Sequence, residues 1–241
     1  MILLLDIGNT RLKWALSAVT DSAPLREAQA IAHDGDPAAA FAANRWPAVS
    51  AVWIAHVTGE ALEQRITQSV AARYGFVPRF ARTPAEHDGL RLGYAEPQRL
   101  GVDRFLKMLA LWREQRSAFG VASAGTALTF DAVDARGQHL GGLIAAGLTT
   151  LQRAVLGATR FPTRPAPADY RAGLGRDTES CVREGALHEC LGLLERMARR
   201  HPGPRRVLTG GDAETLLPHL EGWTHRPNLV LEGLRAYACS K

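Results

Sequence analysis

Hydrophobic and polar positions follow two periods along the chain. An apolar run, Ile2 to Leu5, passes directly into Asp6-Ile7-Gly8-Asn9-Thr10. Beyond that turn Leu12, Trp14 and Leu16 alternate with Arg11, Lys13 and Ala15, the period of two of a strand. Strand, Gly-Asn turn and strand together predict a β-hairpin. The pattern recurs in mid-chain. Phe119 to Ala122 leads into Ser123-Ala124-Gly125-Thr126-Ala127, and Leu128 to Val133 follows as a second strand. Gly8 and Gly125 lie 117 residues apart, as do Asp6 and Ser123, which is close to half of the 241-residue chain. The spacing predicts a duplicated domain.

Other segments add helices and strands in both halves. Val49 to Ala55 reads as a strand and Gly59 to Tyr74 as a helix. Asp103 to Arg116 is predicted helical, with Phe105, Leu106, Met108, Leu109 and Trp112 forming its apolar face. A domain boundary is expected near Ser117, giving domains over 1–117 and 118–241. The second half is predicted to hold a turn at Asp134–Gly137, a strand from His139 to Ala145 and a helix from Thr149 to Leu156. A surface loop over Thr159–Ala168 and a long helix from Thr178 to Arg200 follow. A short strand, Arg206 to Leu208, enters Thr209-Gly210-Gly211-Asp212, with a helix just beyond. At the end Leu229-Val230-Leu231 looks strand-like, followed by a short helix. Strands mixed with helices in both halves indicate an α/β class.

Composition narrows the function classes. With 46% hydrophobic and 22% charged residues the chain is globular in kind, and no apolar run approaches the ~20 residues of a membrane span. Three cysteines without metal-ligand spacing fit a reduced, cytoplasmic setting. The net charge of +5 and pI of about 9.5 raise nucleic acid as a partner. The basic residues are spread along the chain, however, and the densest group, Arg196, Arg199, Arg200, Arg205 and Arg206, begins at a predicted helix end. No nucleic-acid partner is expected. Arginine's fork suits carboxylates and phosphates, so small anionic ligands are the better match.

Three glycine turns are candidate phosphate loops: Asp6–Thr10, Ser123–Ala127 and Thr209–Asp212. Asp6 at a strand end could hold Mg²⁺, with Lys13 supplying positive charge to phosphates. Neither the Walker A pattern nor G-x-G-x-x-G occurs. In Leu92–Arg104, Asp103 follows Gly101 at a helix start, where it is either an N-terminal cap or a general base for a substrate hydroxyl. Arg104 beside it could hold an anionic group.

Taken in order, Asp6-Ile7-Gly8-Asn9-Thr10 with Lys13, Gly101-Val102-Asp103-Arg104, Gly125–Asp131 and Gly210-Gly211-Asp212 resemble the motifs of type III pantothenate kinase. The closing Pro227–Leu234 is similar to that family's C-terminus. The resemblance implies two ribonuclease-H-like, actin-like ATPase domains with a nucleotide cleft between them. It implies ATP-dependent phosphorylation of pantothenate to 4′-phosphopantothenate, the first step of coenzyme A biosynthesis, by a homodimer. On it, Asp6, Ile7, Gly8, Asn9, Thr10, Arg11, Leu12 and Lys13 form the first phosphate loop, with Asp6 near Mg²⁺. Gly125 and Thr126 belong to the second loop, and Gly210 and Gly211 to a nucleotide-side motif. Asp103 is the proton acceptor, and Tyr94, Gly101, Val102, Arg104 and Thr178 are its substrate-binding companions.

One position departs from the pattern. The second loop of the family begins with aspartate, associated with K⁺ or NH₄⁺, and this chain has Ser123 there. Serine leaves one neutral oxygen, so either the monovalent-cation requirement is relaxed or a group such as Asp131 or a backbone carbonyl compensates. Two rival readings stand beside the kinase: a non-catalytic transcriptional accessory factor of the same family, and a kinase for another small hydroxy acid or sugar.

Overall fold

The first apolar run becomes β1 (Ile2–Ile7), which lies mid-sheet with nearly all of its side chains buried, as an unbroken apolar strand must. In this computed structural model the described residues are 1–18, 25, 28–160, 169–201, 203 and 205–240. The loop expected over 159–168 therefore lies outside them from 161 onward. Two compact units are present, Met1–Arg116 with Asn228–Lys241, and Ser117–Pro227.

In the first unit β2 (Arg11–Ser17) returns antiparallel to β1, pairing Asp6 with Lys13 and Ile7 with Leu12. The order continues with β3 (Gln29–Ala32), α1 (Pro37–Ala43), β4 (Ala51–His56), α2 (Glu60–Tyr74) and β5 (Arg79–Phe80). The sheet runs β3-β2-β1-β4-β5, with β4 and β5 parallel to β1. A small hairpin, β6 (Glu86–His87) with β7 (Leu90–Arg91), precedes α3 (Val102–Glu114).

The second unit repeats the plan. β8 (Phe119–Ala124) starts and stops 117 residues after β1, and β9 (Ala127–Val133) turns back on it. β10 (His139–Ala146), α4 (Leu148–Ala158), α5 (Thr178–Arg200), β11 (Arg205–Thr209), α6 (Ala213–Leu216) and β12 (Trp223–His225) complete it. Its sheet order, β10-β9-β8-β11-β12, matches the first sheet strand for strand, with β11 and β12 parallel to β8. The expected ribonuclease-H-like α/β plan is thus present twice. A core of Phe130, Leu187, Leu194 and Leu208 is built from this sheet and α5.

Two expectations need correction at the C-terminus. Leu229-Val230-Leu231 is not a strand but the first turn of α7 (Leu229–Ala238). A short apolar run without polar alternation cannot separate strand from buried helix, and α7 is buried along most of its surface. It also belongs to the first unit rather than to 118–241. Gly233 lets α7 lie directly on the Leu106 carbonyl of α3, where any Cβ would collide. Trp53 meets Tyr237 edge-on, and Arg113 donates to the Ala236 carbonyl.

Candidate active site

The candidate residues fall into two groups, one in each unit. The first centres on the β1–β2 hairpin. Gly8 N–H donates to the Arg11 carbonyl at 3.1 Å and closes the turn, leaving Asn9, Thr10 and Arg11 exposed. Ile7 and Leu12 are core residues of the sheet, so only their backbones are available to a ligand. From the β3 end, Gly35 N–H donates to His33 Nδ1, so His33 Nε2 carries the proton and donates to the Gly8 carbonyl at 2.9 Å.

Asp6 retains some exposed surface, yet the protein around its carboxyl pushes its pKa up to about 6. Burial is the largest cause; the charge of Lys13 opposes it, Asp103 adds to it and Lys107 opposes it. Those causes join the hairpin electrostatically to the start of α3. There Gly101 is the N-terminal cap residue without a side-chain cap, and Val102 is buried. Asp103 is therefore not the cap, although it sits in the helix's first turn. Its Oδ1 lies over Gly101, where a Cβ would approach it to 2.7 Å, while Oδ2 accepts from Lys107 Nζ at 3.0 Å. Arg104 is buried, donates to the Tyr94 hydroxyl at 2.9 Å and lies over the Tyr94 ring. Asp6, Lys13 and Asp103 are thus one electrostatic group, and Arg104, next to Asp103 in sequence, pairs with Tyr94.

The second group is an arrangement of backbones. Gly125 N–H donates to the Ala127 carbonyl, and Thr126 is exposed at the tip. The Thr126 carbonyl accepts from Gly147 N–H and from the Thr150 hydroxyl. Gly210, at φ +101°, presses against the Ala124 carbonyl, which also accepts from Asp212 N–H. Glycine is required at Gly147 and Gly210, since a side chain would run into backbone. Burial raises the Asp212 carboxyl above the ordinary aspartate range. Ser123 is half-buried at the end of β8, opposite Thr129 and Thr209 on the flanking strands. Thr178 opens α5 beside the Asp177 cap, and no described contact joins it to these turns.

Sequence reasoning missed His33, Lys107 and Gly147. Lys107 and Gly147 left a signal: Lys107 is one helical turn from Asp103, and Gly147 separates a strand from a helix. His33 left none, because its role depends on the distance from β3 to the hairpin.

The chain as a whole has relatives among known proteins. A family model described as type III pantothenate kinase matches residues 2–200. A type III pantothenate kinase of Xanthomonas campestris pv. campestris (strain B100) is 38% identical over 240 residues, covering 98% of this chain and 96% of that protein. One from Stenotrophomonas maltophilia (strain R551-3) is 34% identical over 245 residues with the same shares. Among solved structures, a Campylobacter jejuni protein assigned to the Baf family of transcriptional activators gives a TM-score of 0.65 at 18% identity, covering 97% of this chain and 95% of that one. Component A of (R)-2-hydroxyglutaryl-CoA dehydratase from Acidaminococcus fermentans gives 0.55 at 12%, covering 99% and 96%. At such identities these structures speak to the fold alone.

Proposed function

The chain belongs to the type III pantothenate kinase family, whose reaction is the ATP-dependent phosphorylation of pantothenate, and on that premise we propose how its residues divide the work. Asp103 is the general base. Its carboxylate takes the proton of the pantothenate hydroxyl, the oxygen forms its bond to the γ-phosphorus, and the bond to ADP breaks. The observation carrying this assignment is the Asp103 carboxylate at the head of α3, with Oδ2 accepting from Lys107 Nζ at 3.0 Å and the side chain 35% exposed, within reach of a substrate hydroxyl. Arg104 supplies a charge partner for the pantothenate carboxylate, oriented by Tyr94, with Gly101 and Val102 shaping the same helix start. Thr178 is a further pantothenate contact.

The hairpin from Asp6 to Lys13 handles the phosphates of ATP through backbone N–H groups and the Lys13 ammonium, with Arg11 exposed on the same turn. Gly125, Thr126, Gly210 and Gly211 bind the nucleotide through turns that keep side chains out of the way. Asp6 fits a magnesium ion because burial disfavours its charged form even with Lys13 nearby, as its raised pKa reports, and a bound cation would offset that cost. Among the described residues no cluster of three or more potential ligands is present, so Asp6 would hold a magnesium ion with oxygens that the protein does not supply. Bound there, Mg²⁺ neutralises charge on the phosphate oxygens.

A K⁺ or NH₄⁺ ion is poorly matched by Ser123. The hydroxyls of Thr129 and Thr209 stand beside it in register, and Asp131 is engaged with His139 Nε2 at 3.0 Å. The requirement is accordingly relaxed in this chain. Homodimer formation is taken from the family resemblance, and the edge strand β10 offers exposed apolar side chains, Leu140, Leu143 and Ile144, to a partner. The three free cysteines suit a reducing cytoplasm, and no helix among the described residues is long and apolar enough to cross a membrane.

ADP release measured with pantothenate, other hydroxy acids and sugars tests the substrate assignment. Turnover with pantothenate, and a product heavier by one phosphoryl group, is expected. Preference for a sugar would favour the broader sugar-kinase reading, and no turnover with any acceptor would favour the non-catalytic one.

A further inference from the structure

Lys107 is absent from every motif considered above, yet its side chain is only 3% exposed. Burying an ammonium is expensive unless the charge is used or compensated. Among the described residues its hydrogen-bond partner is Asp103, one helical turn earlier, with Nζ 3.0 Å from Oδ2. The Asp103 side chain is itself 35% exposed, so the pair is a buried cation reaching outward to a carboxylate that faces solvent.

We propose that Lys107 is a positioning residue of the acceptor site, its ammonium anchoring Oδ2 of Asp103 so that Oδ1 is the oxygen presented to the pantothenate hydroxyl. The proposal rests on the assignment of Asp103 as general base. Three features support it. Oδ1 occupies space that the missing side chain of Gly101 leaves open, while the lysine anchors Oδ2. Asp6 feels both the Asp103 carboxylate and the Lys107 ammonium, so the lysine also offsets repulsion between two carboxylates that must work near one another. An ammonium carries three donors and Asp103 takes one, which leaves Lys107 able to keep its grip while the carboxylate changes charge during the reaction.

A double-mutant cycle on kcat tests the idea. Lys107→Met keeps the stem and removes the charge, Lys107→Gln keeps a donor without charge, and each is combined with Asp103→Asn. Lys107→Met is expected to lower kcat by roughly 10–100-fold, the size of a misplaced catalytic group, with KM for pantothenate within about threefold. Lys107→Gln should recover part of that loss. In the Asp103→Asn background either lysine change should cost less than about threefold, because the group it positions is gone. A full, additive loss in that background would overturn the proposal and make the lysine structural. So would wild-type kcat in both lysine variants. If Asp103→Asn alone retains wild-type turnover, the base assignment fails instead, so the two failures are distinct. Should Lys107→Met not fold, Lys107→Gln carries the same cycle.

Discussion

Asp103 presents two oxygens in unlike surroundings, one in the space where a Cβ at position 101 would stand and the other on an ammonium. At residue scale, with Asp103 proposed as the base, Gly101 is expected to act through the space it leaves for Oδ1 rather than through its own conformation. Its φ of −51° is open to any L-residue, so Gly101→Ala should fold with an unchanged melting temperature. The added Cβ would displace Oδ1, and kcat should fall about tenfold or more, checked by steady-state kinetics beside thermal denaturation. The Asp6 pKa gives a pH dependence of definite sign. Raised to about 6, the carboxyl is neutral below that pH, where an ordinary aspartate would remain ionised down to about 4. If Asp6 must be anionic to serve Mg²⁺, kcat/KM should fall as pH drops through about 6 at saturating Mg²⁺-free pantothenate and limiting Mg·ATP. A limb near 4 would show that burial does not hold its proton. Ser123 yields a third test: activity titrated with K⁺ in Na⁺- and NH₄⁺-free buffer should stay nearly flat, and strong activation would restore the cation site.

The elements show what was legible in the sequence and what was not. The hairpins were legible because a period of two, broken by glycine, has few structural meanings; β1 and β8 appear where the 117-residue spacing put them. The motif residues were legible as short strings, and the structure joins Asp6 and Lys13 of one string to Asp103 of another in one electrostatic group. The return of α7 to the first unit was not legible. Its apolar residues say that it is buried but not against what, and the deciding feature is the fit of Gly233 on the Leu106 carbonyl. Gly233→Ala should therefore destabilise the first unit by about 1–3 kcal/mol through overpacking, seen as an earlier denaturation midpoint. The same substitution at Gly125, where a Cβ meets nothing, should leave stability nearly unchanged.

For the whole molecule, the duplication puts a glycine turn after the first strand of each unit, at Gly8 in one and at Gly125 in the other, and the first unit adds the electrostatic group of Asp6, Lys13 and Asp103. The exposed apolar edge at β10 predicts a particle of twice 26.1 kDa by light scattering, and Ile144→Asp should shift it to the monomer. The role of Asp103 is tested by phosphoryl transfer in Asp103→Asn, followed as 4′-phosphopantothenate formed per enzyme, with ATP binding measured in parallel. A loss of roughly a hundredfold or more in kcat, with ATP affinity and melting temperature unchanged, is predicted. Turnover within tenfold of wild type would contradict the assignment of Asp103 as the base.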